Sequence, residues 1–94
     1  MLGINVIYTM KPGMAKEFVD EVTASGALQA VRKEEGCLRY DYYFSAENPD
    51  QVLLLEQWES REAQKVHMTQ PHMEQIAAAK ARCALDAKLE FYDL

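Results

Sequence analysis

Apolar and polar positions alternate with a period of two along four stretches of this chain and recur with a helical period along two more. Residues 2–10 (LGINVIYTM) put Leu2, Ile4, Val6, Tyr8 and Met10 on one face of a strand and Gly3, Asn5, Ile7 and Thr9 on the other. Neither face is plainly polar, so both are expected to be covered. KPG at 11–13 signals a turn. From about Met14 to Lys33, Met14, Phe18 and Val22 fall at helical spacing, with Val19 beside them, and Leu28 and Val31 continue the stripe. Gly26 lies inside this run. In a helix interior it costs about 1 kcal/mol relative to Ala, which marks Ser25-Gly26 as a kink or break. EEG at 34–36 closes the helix, with Gly36 suited to the left-handed position past its end.

The second strand is CLRYDYYFS (37–45), with Leu38, Tyr40, Tyr42 and Phe44 on one face and Arg39, Asp41 and Tyr43 on the other. A turn, AENPD (46–50), leads into a third strand, QVLLLEQWE (51–59), so the two are expected to form an antiparallel hairpin. Ser60 is placed to cap a short helix reaching about Met68. Pro71 fits the first turn of another helix over 71–82, whose three consecutive alanines suggest tight packing on something flat. The last strand, ALDAKLEFYDL (84–94), alternates Leu85, Ala87, Leu89 and Phe91 with Asp86, Lys88, Glu90 and Tyr92.

The order β-α-β-β-α-β, with the second helix in two pieces, predicts an α+β, ferredoxin-like fold: one domain over 1–94 whose four-stranded antiparallel sheet carries helices on one face. The other face would be bare in a monomer. Because it too carries apolar side chains, a homodimer is expected, with two sheets packed face to face as a dimeric α/β barrel.

Composition narrows the partners. The chain of 94 residues is 49% hydrophobic, carries a formal net charge of −5 and has no basic stripe. Nucleic acid and membrane surfaces are therefore not expected partners. No apolar run has the length of a membrane span, and no basic-then-apolar leader opens the chain. Cys37 and Cys83 alone make neither a disulfide framework nor a zinc site. A cytoplasmic protein with reduced thiols is expected.

The candidate chemistry gathers in EQWESREAQKVHMTQPHM (56–73), which holds the only Trp and both His. Glu56 and Trp58 share a strand face with Leu54 and Val52. A glutamate there must be paired or protonated: either Glu56 pairs with Arg39 or a backbone group, or it acts on a ligand between sheet and helices. Trp58 is either core or a wall for a flat ligand. His67 either caps the carbonyls of its helix or serves as a cavity-lining acid or base, since imidazole titrates near neutral pH. His72 stands five residues on, which is not the spacing of a helical metal pair, so no metal is expected. Asn5, mid-strand between apolar neighbours, needs a cross-strand or ligand partner. No glycine-rich phosphate loop, GxSxG elbow or CxxC is present.

EEGCLRYD, then EQWES, then HMTQPHM, resemble the antibiotic biosynthesis monooxygenase domain, nearest its quinol monooxygenase members, across nearly the whole chain. The resemblance implies oxygenation of a quinol-like or other aromatic substrate without a cofactor. The residues expected to carry chemistry are Glu56 and His67 as catalytic groups and Trp58, Asn5, Tyr40, Tyr43, His72 and Arg39 as substrate-binding groups. Polyketide-oxidising members carry a Tyr and an Arg where Gln64 and Ala78 stand here. Haem-degrading members match at Asn5 only, with His67 and Ala77 standing where a Trp and a His are required, so haem is not expected. The same motifs are similar to an isomerase of a phosphorylated autoinducer-2 breakdown product, in which His67 and Glu56 would move a proton and Arg39 would meet the phosphate. A binding dimer without catalysis is the third alternative.

Overall fold

A computed structural model describes all 94 residues. Four strands form one open antiparallel sheet in the order β2-β3-β1-β4: β1 (Leu2–Met10), β2 (Cys37–Phe44), β3 (Gln51–Trp58) and β4 (Ala84–Asp93). Four helices lie between them: α1 (Ala15–Ala24), α2 (Ala27–Arg32), α3 (Arg61–His67) and α4 (Met73–Cys83). This is the ferredoxin-like α+β arrangement expected from the pattern, with β1 and β3 at the centre of the sheet.

The helix-covered face carries the core. Leu2, Ile4, Val6, Tyr8 and Met10 of β1 and Val52, Leu54 and Trp58 of β3 are buried against Phe18 and Val22 of α1, Leu28 and Val31 of α2, and Ile76, Ala79 and Cys83 of α4. The break inside the first helical run falls where glycine allows it. Gly26 takes a left-handed backbone (φ +83°), and the chain restarts as α2. The strand pattern at the start of β2 is shifted by a bulge between Cys37 and Arg39, so Leu38 leaves the core face and is exposed.

Two expectations about α4 change. The helix begins at Met73, with Pro71 in the preceding turn. Of the three alanines only Ala79 is buried; Ala77 and Ala78 face outward, because α4 rests on the core along the single stripe Ile76–Ala79–Cys83. No helix is long and apolar enough to cross a membrane.

Gly36 fixes where α3 sits. Its φ of +84° is a conformation that side chains resist, and a Cβ there would lie 2.6 Å from the Cβ of Ala63. The carbonyl of Gly36 accepts the Glu59 N–H (2.9 Å), and Ser60 Oγ caps α3 through the Ala63 N–H (3.1 Å). Gly36→Ala is expected to destabilise the protein by about 1–3 kcal/mol. In urea unfolding the midpoint should fall with the slope unchanged; an unaltered midpoint would show that the close approach is not needed.

Candidate functional site

The uncovered remainder of the helix-side face forms a cavity of about 230 Å³ between sheet and helices. Its floor is Ile4, Val6 and Tyr8 of β1, Leu54 and Glu56 of β3, and Tyr40 of β2. His67, Met73, Ile76 and Lys80 form the helical wall, and Met68, Leu89 and Phe91, each more than half exposed, rim the opening. A wider depression of about 350 Å³ lies on the opposite sheet face around Asn5, Ile7, Tyr43 and Leu53. The helix-side cavity is the candidate site, because it alone brings buried titratable groups together.

Parity and register explain who meets whom. Glu56 lies opposite Ile4 on one side and Tyr40 on the other, so all three point to the helix side. Glu56 is buried, and its Oε1 accepts the Trp58 indole N–H at 3.0 Å. Burial holds its carboxyl above the usual carboxylate range, while that indole N–H and the nearby His67 oppose the shift. Trp58 is fully buried and lies behind His67, with ring centroids 4.6 Å apart. It backs the imidazole and does not line the cavity.

His67 is 2% exposed. It does not cap the carbonyls of α3. Its Nδ1 lies 2.9 Å from Glu34 Oε2, and its Nε2, which has no protein partner, is the nitrogen left for the cavity. The same Glu34 oxygen lies 2.7 Å from His72 Nε2. Glu34 therefore joins two histidines that sequence spacing keeps apart. These donor atoms lie within 4.8 Å of one another, the grouping from which a metal site could be built. Their N···O separations are hydrogen-bond lengths, shorter than the roughly 3.3 Å between two ligands of a tetrahedral zinc at about 2.0–2.1 Å each. The arrangement is a hydrogen-bonded cluster.

Three tyrosines supply hydroxyls. Tyr8 and Tyr40 line the cavity. Tyr42 packs edge-on against Phe18 and Tyr40, and its hydroxyl is buried without a partner. Burial pushes all three well above the ordinary phenol range, so they remain donors. Lys80 is the cavity's cation, with Nζ 5.9 Å from the centre of the Tyr8 ring. The Cys37 thiol, pushed up to about 11 by burial and then by Glu34, is a poor nucleophile.

The remaining candidates lie elsewhere. Arg39 is on the opposite face, bonded to Asp41 (3.0 Å) and to the Tyr43 hydroxyl, and does not pair with Glu56. Asn5 also faces away from the cavity, with its Oδ1 3.4 Å from the Tyr92 hydroxyl. Of the eight residues singled out from sequence, His67, Glu56 and Tyr40 line the cavity. Trp58 and His72 stand behind it, and Asn5, Tyr43 and Arg39 share the other face. Glu34, Tyr8 and Lys80 were missed. Tyr8 and Lys80 had a signal, since Tyr8 shares parity with Ile4 and Lys80 stands one turn after Ile76.

The family model described as antibiotic biosynthesis monooxygenase matches residues 1–79. The chain belongs to this family. Solved structures share its fold along almost the full length. A protein from Nitrosomonas europaea, provisionally named an antibiotic biosynthesis monooxygenase, is 22% identical with a TM-score of 0.88, covering 100% of this chain and 98% of that one. A conserved protein from Methanosarcina mazei Go1 is 27% identical with a TM-score of 0.82, covering 98% and 92%. Rv0793 of Mycobacterium tuberculosis is 21% identical with a TM-score of 0.84, covering 99% and 93%. No curated protein matches the chain.

The raised carboxyl of Glu56 has a consequence for stability. A folded-state value above the unfolded one, near 4.3, means that the native state holds this proton more tightly. The favourable contribution is present below that pH and is lost as pH rises through the folded value. Glu56→Gln mimics the protonated form at every pH and can still accept from Trp58. Relative to wild type, the variant should gain stability between pH 4 and pH 7 in urea unfolding; an equal difference at both pH values would rule out the strained carboxylate.

Proposed function

We propose that the protein is a small monooxygenase that oxygenates a quinol-like or other aromatic substrate without a cofactor. The observation that carries this reading is the apolar, tyrosine-lined cavity into which a buried imidazole presents an unbonded nitrogen. Family membership supports the class of reaction.

His67 Nε2 takes a proton from a substrate hydroxyl. The resulting anion passes one electron to dioxygen, and the radical pair joins as a carbon–oxygen bond to give a peroxide. Loss of water then leaves one oxygen atom on the ring as a new carbonyl, and both hydrogens of that water come from the substrate. Tyr8, Tyr40 and Lys80 donate to the anionic oxygens; His67 returns its proton to the peroxide, and Glu56, whose carboxyl holds its proton readily, protonates the departing oxygen and is restored by the ring hydrogen released as the carbonyl forms. The apolar walls keep water from competing. Trp58 serves by holding His67 in place, and His72 acts from outside the cavity. The phosphorylated-dicarbonyl isomerase reading has less support, because Arg39, its phosphate partner, lies on the other sheet face.

The working form is a homodimer built through that face, closing two open sheets into a barrel. Ile7, Leu53 and Leu55 lie there half-buried, Tyr43 is 41% exposed, and no helix of this chain covers them. Asn5, Tyr43 and Arg39 then belong to the subunit contact. Two free cysteines, one of them fully buried, suit a reducing cytoplasm.

Oxygen uptake with reduced menadione is expected for the wild type in the absence of added metal or flavin. In His67→Ala it should be slower by about 10²–10⁴-fold; equal rates would take His67 out of the mechanism. Sedimentation should give twice the 10.7 kDa chain mass at micromolar concentration, and a stable monomer would refute the barrel.

A further inference from the structure

His67 can act as a base toward the cavity only through Nε2, so the proton of the neutral ring has to sit on Nδ1. An imidazole left to itself is free to carry it on either nitrogen. In this molecule Nδ1 lies 2.9 Å from Glu34 Oε2, and a carboxylate can only accept. That contact selects the Nδ1–H form and leaves the Nε2 lone pair facing the cavity. Glu34 is held in turn from the far side. His72 Nε2 donates to the same oxygen at 2.7 Å, and the His72 ring faces a surface groove beside Gly26, Ala27 and Pro71.

We propose that Glu34, anchored by His72, is the positioning residue that makes His67 a base on its cavity side. Glu34 touches no part of the cavity, so it acts through the imidazole alone. It plays the part taken by the carboxylate of a hydrolase triad, which fixes the tautomer and orientation of a base it stands behind. The groups facing His67 from the elements around it are Glu34, Glu56 and Tyr40, with His72 beyond Glu34, and only Glu34 touches Nδ1.

This inference rests on His67 being the base, and nitrogen-15 NMR of the two imidazoles separates the two claims because it needs no turnover. Wild-type His67 is expected in the Nδ1–H form at pH 8, and a dominant Nε2–H form would overturn the proposal without any variant. Glu34→Leu removes the acceptor, so the Nδ1–H loses its partner and the Nε2–H form gains population. With reduced menadione, kcat should fall about 10²–10⁴-fold while KM stays within about threefold, since the cavity walls are untouched. Unchanged tautomer and kcat in Glu34→Leu would overturn the proposal. If wild type oxidises no quinol but Glu34→Leu still shifts the tautomer, the positioning role stands and the oxygenase reading falls. Should Glu34→Leu fail to fold, the wild-type spectrum decides: the Nδ1–H form must dominate there, and an Nε2–H form would count against the proposal.

Discussion

One carboxylate oxygen holds the helical half of this protein in register with its sheet. Glu34 stands in the turn between α2 and β2, His67 is the last residue of α3, and His72 immediately precedes α4. The 2.9 Å and 2.7 Å contacts from the two imidazoles therefore tie three segments at one point. Helices of six and seven residues such as α2 and α3 are too short to persist on their own. Buried hydrogen bonds to a charged group contribute about 1.5–3 kcal/mol each, and here they fix positions that helix propensity could not. Gly36 completes the arrangement by letting the β2 backbone approach α3.

The cavity follows from the arithmetic of covering a sheet. The helices pack most closely over β3 and β1, whose inward residues are all buried, while β4 at the sheet edge keeps Leu89 and Phe91 about half exposed. The space left between them is mostly apolar, so the polar groups that reach it are poorly solvated. This desolvation keeps Glu56 and the tyrosines protonated more readily than in water. A site of this kind needs few residues, because low polarity strengthens whatever donors and acceptors remain. The fold thereby produces chemical potential without a dedicated loop or inserted domain.

How much was legible in the chain can be read from particular residues. Alternation alone put Tyr40 and Tyr43 on opposite faces of β2, and put Glu56 on the same face of β3 as Trp58, because successive strand residues must point opposite ways. The helical stripe of Phe18, Val22, Leu28 and Val31 was legible for the same kind of reason, and all four are buried. The pairing of Glu56 with Arg39 failed because parity within one strand does not say which face of the next strand it meets. That depends on the cross-strand register, which sets Glu56 opposite Tyr40 and Arg39 opposite Gln57. The bulge at the start of β2 displaced Leu38 in the same way.

By itself, then, the sequence determined the order and type of the elements, which residues share a face of β1, β3 and β4, the break at Gly26 and the family motifs, since all of these are written in local spacing. Only the tertiary structure decided the site. Glu34 lies 33 residues from His67 and 38 from His72, and no period of strand or helix connects positions so far apart. The five-residue gap between the histidines spoke against their cooperation. The fold overrode it by changing direction at Pro71 and bringing both rings onto a single oxygen.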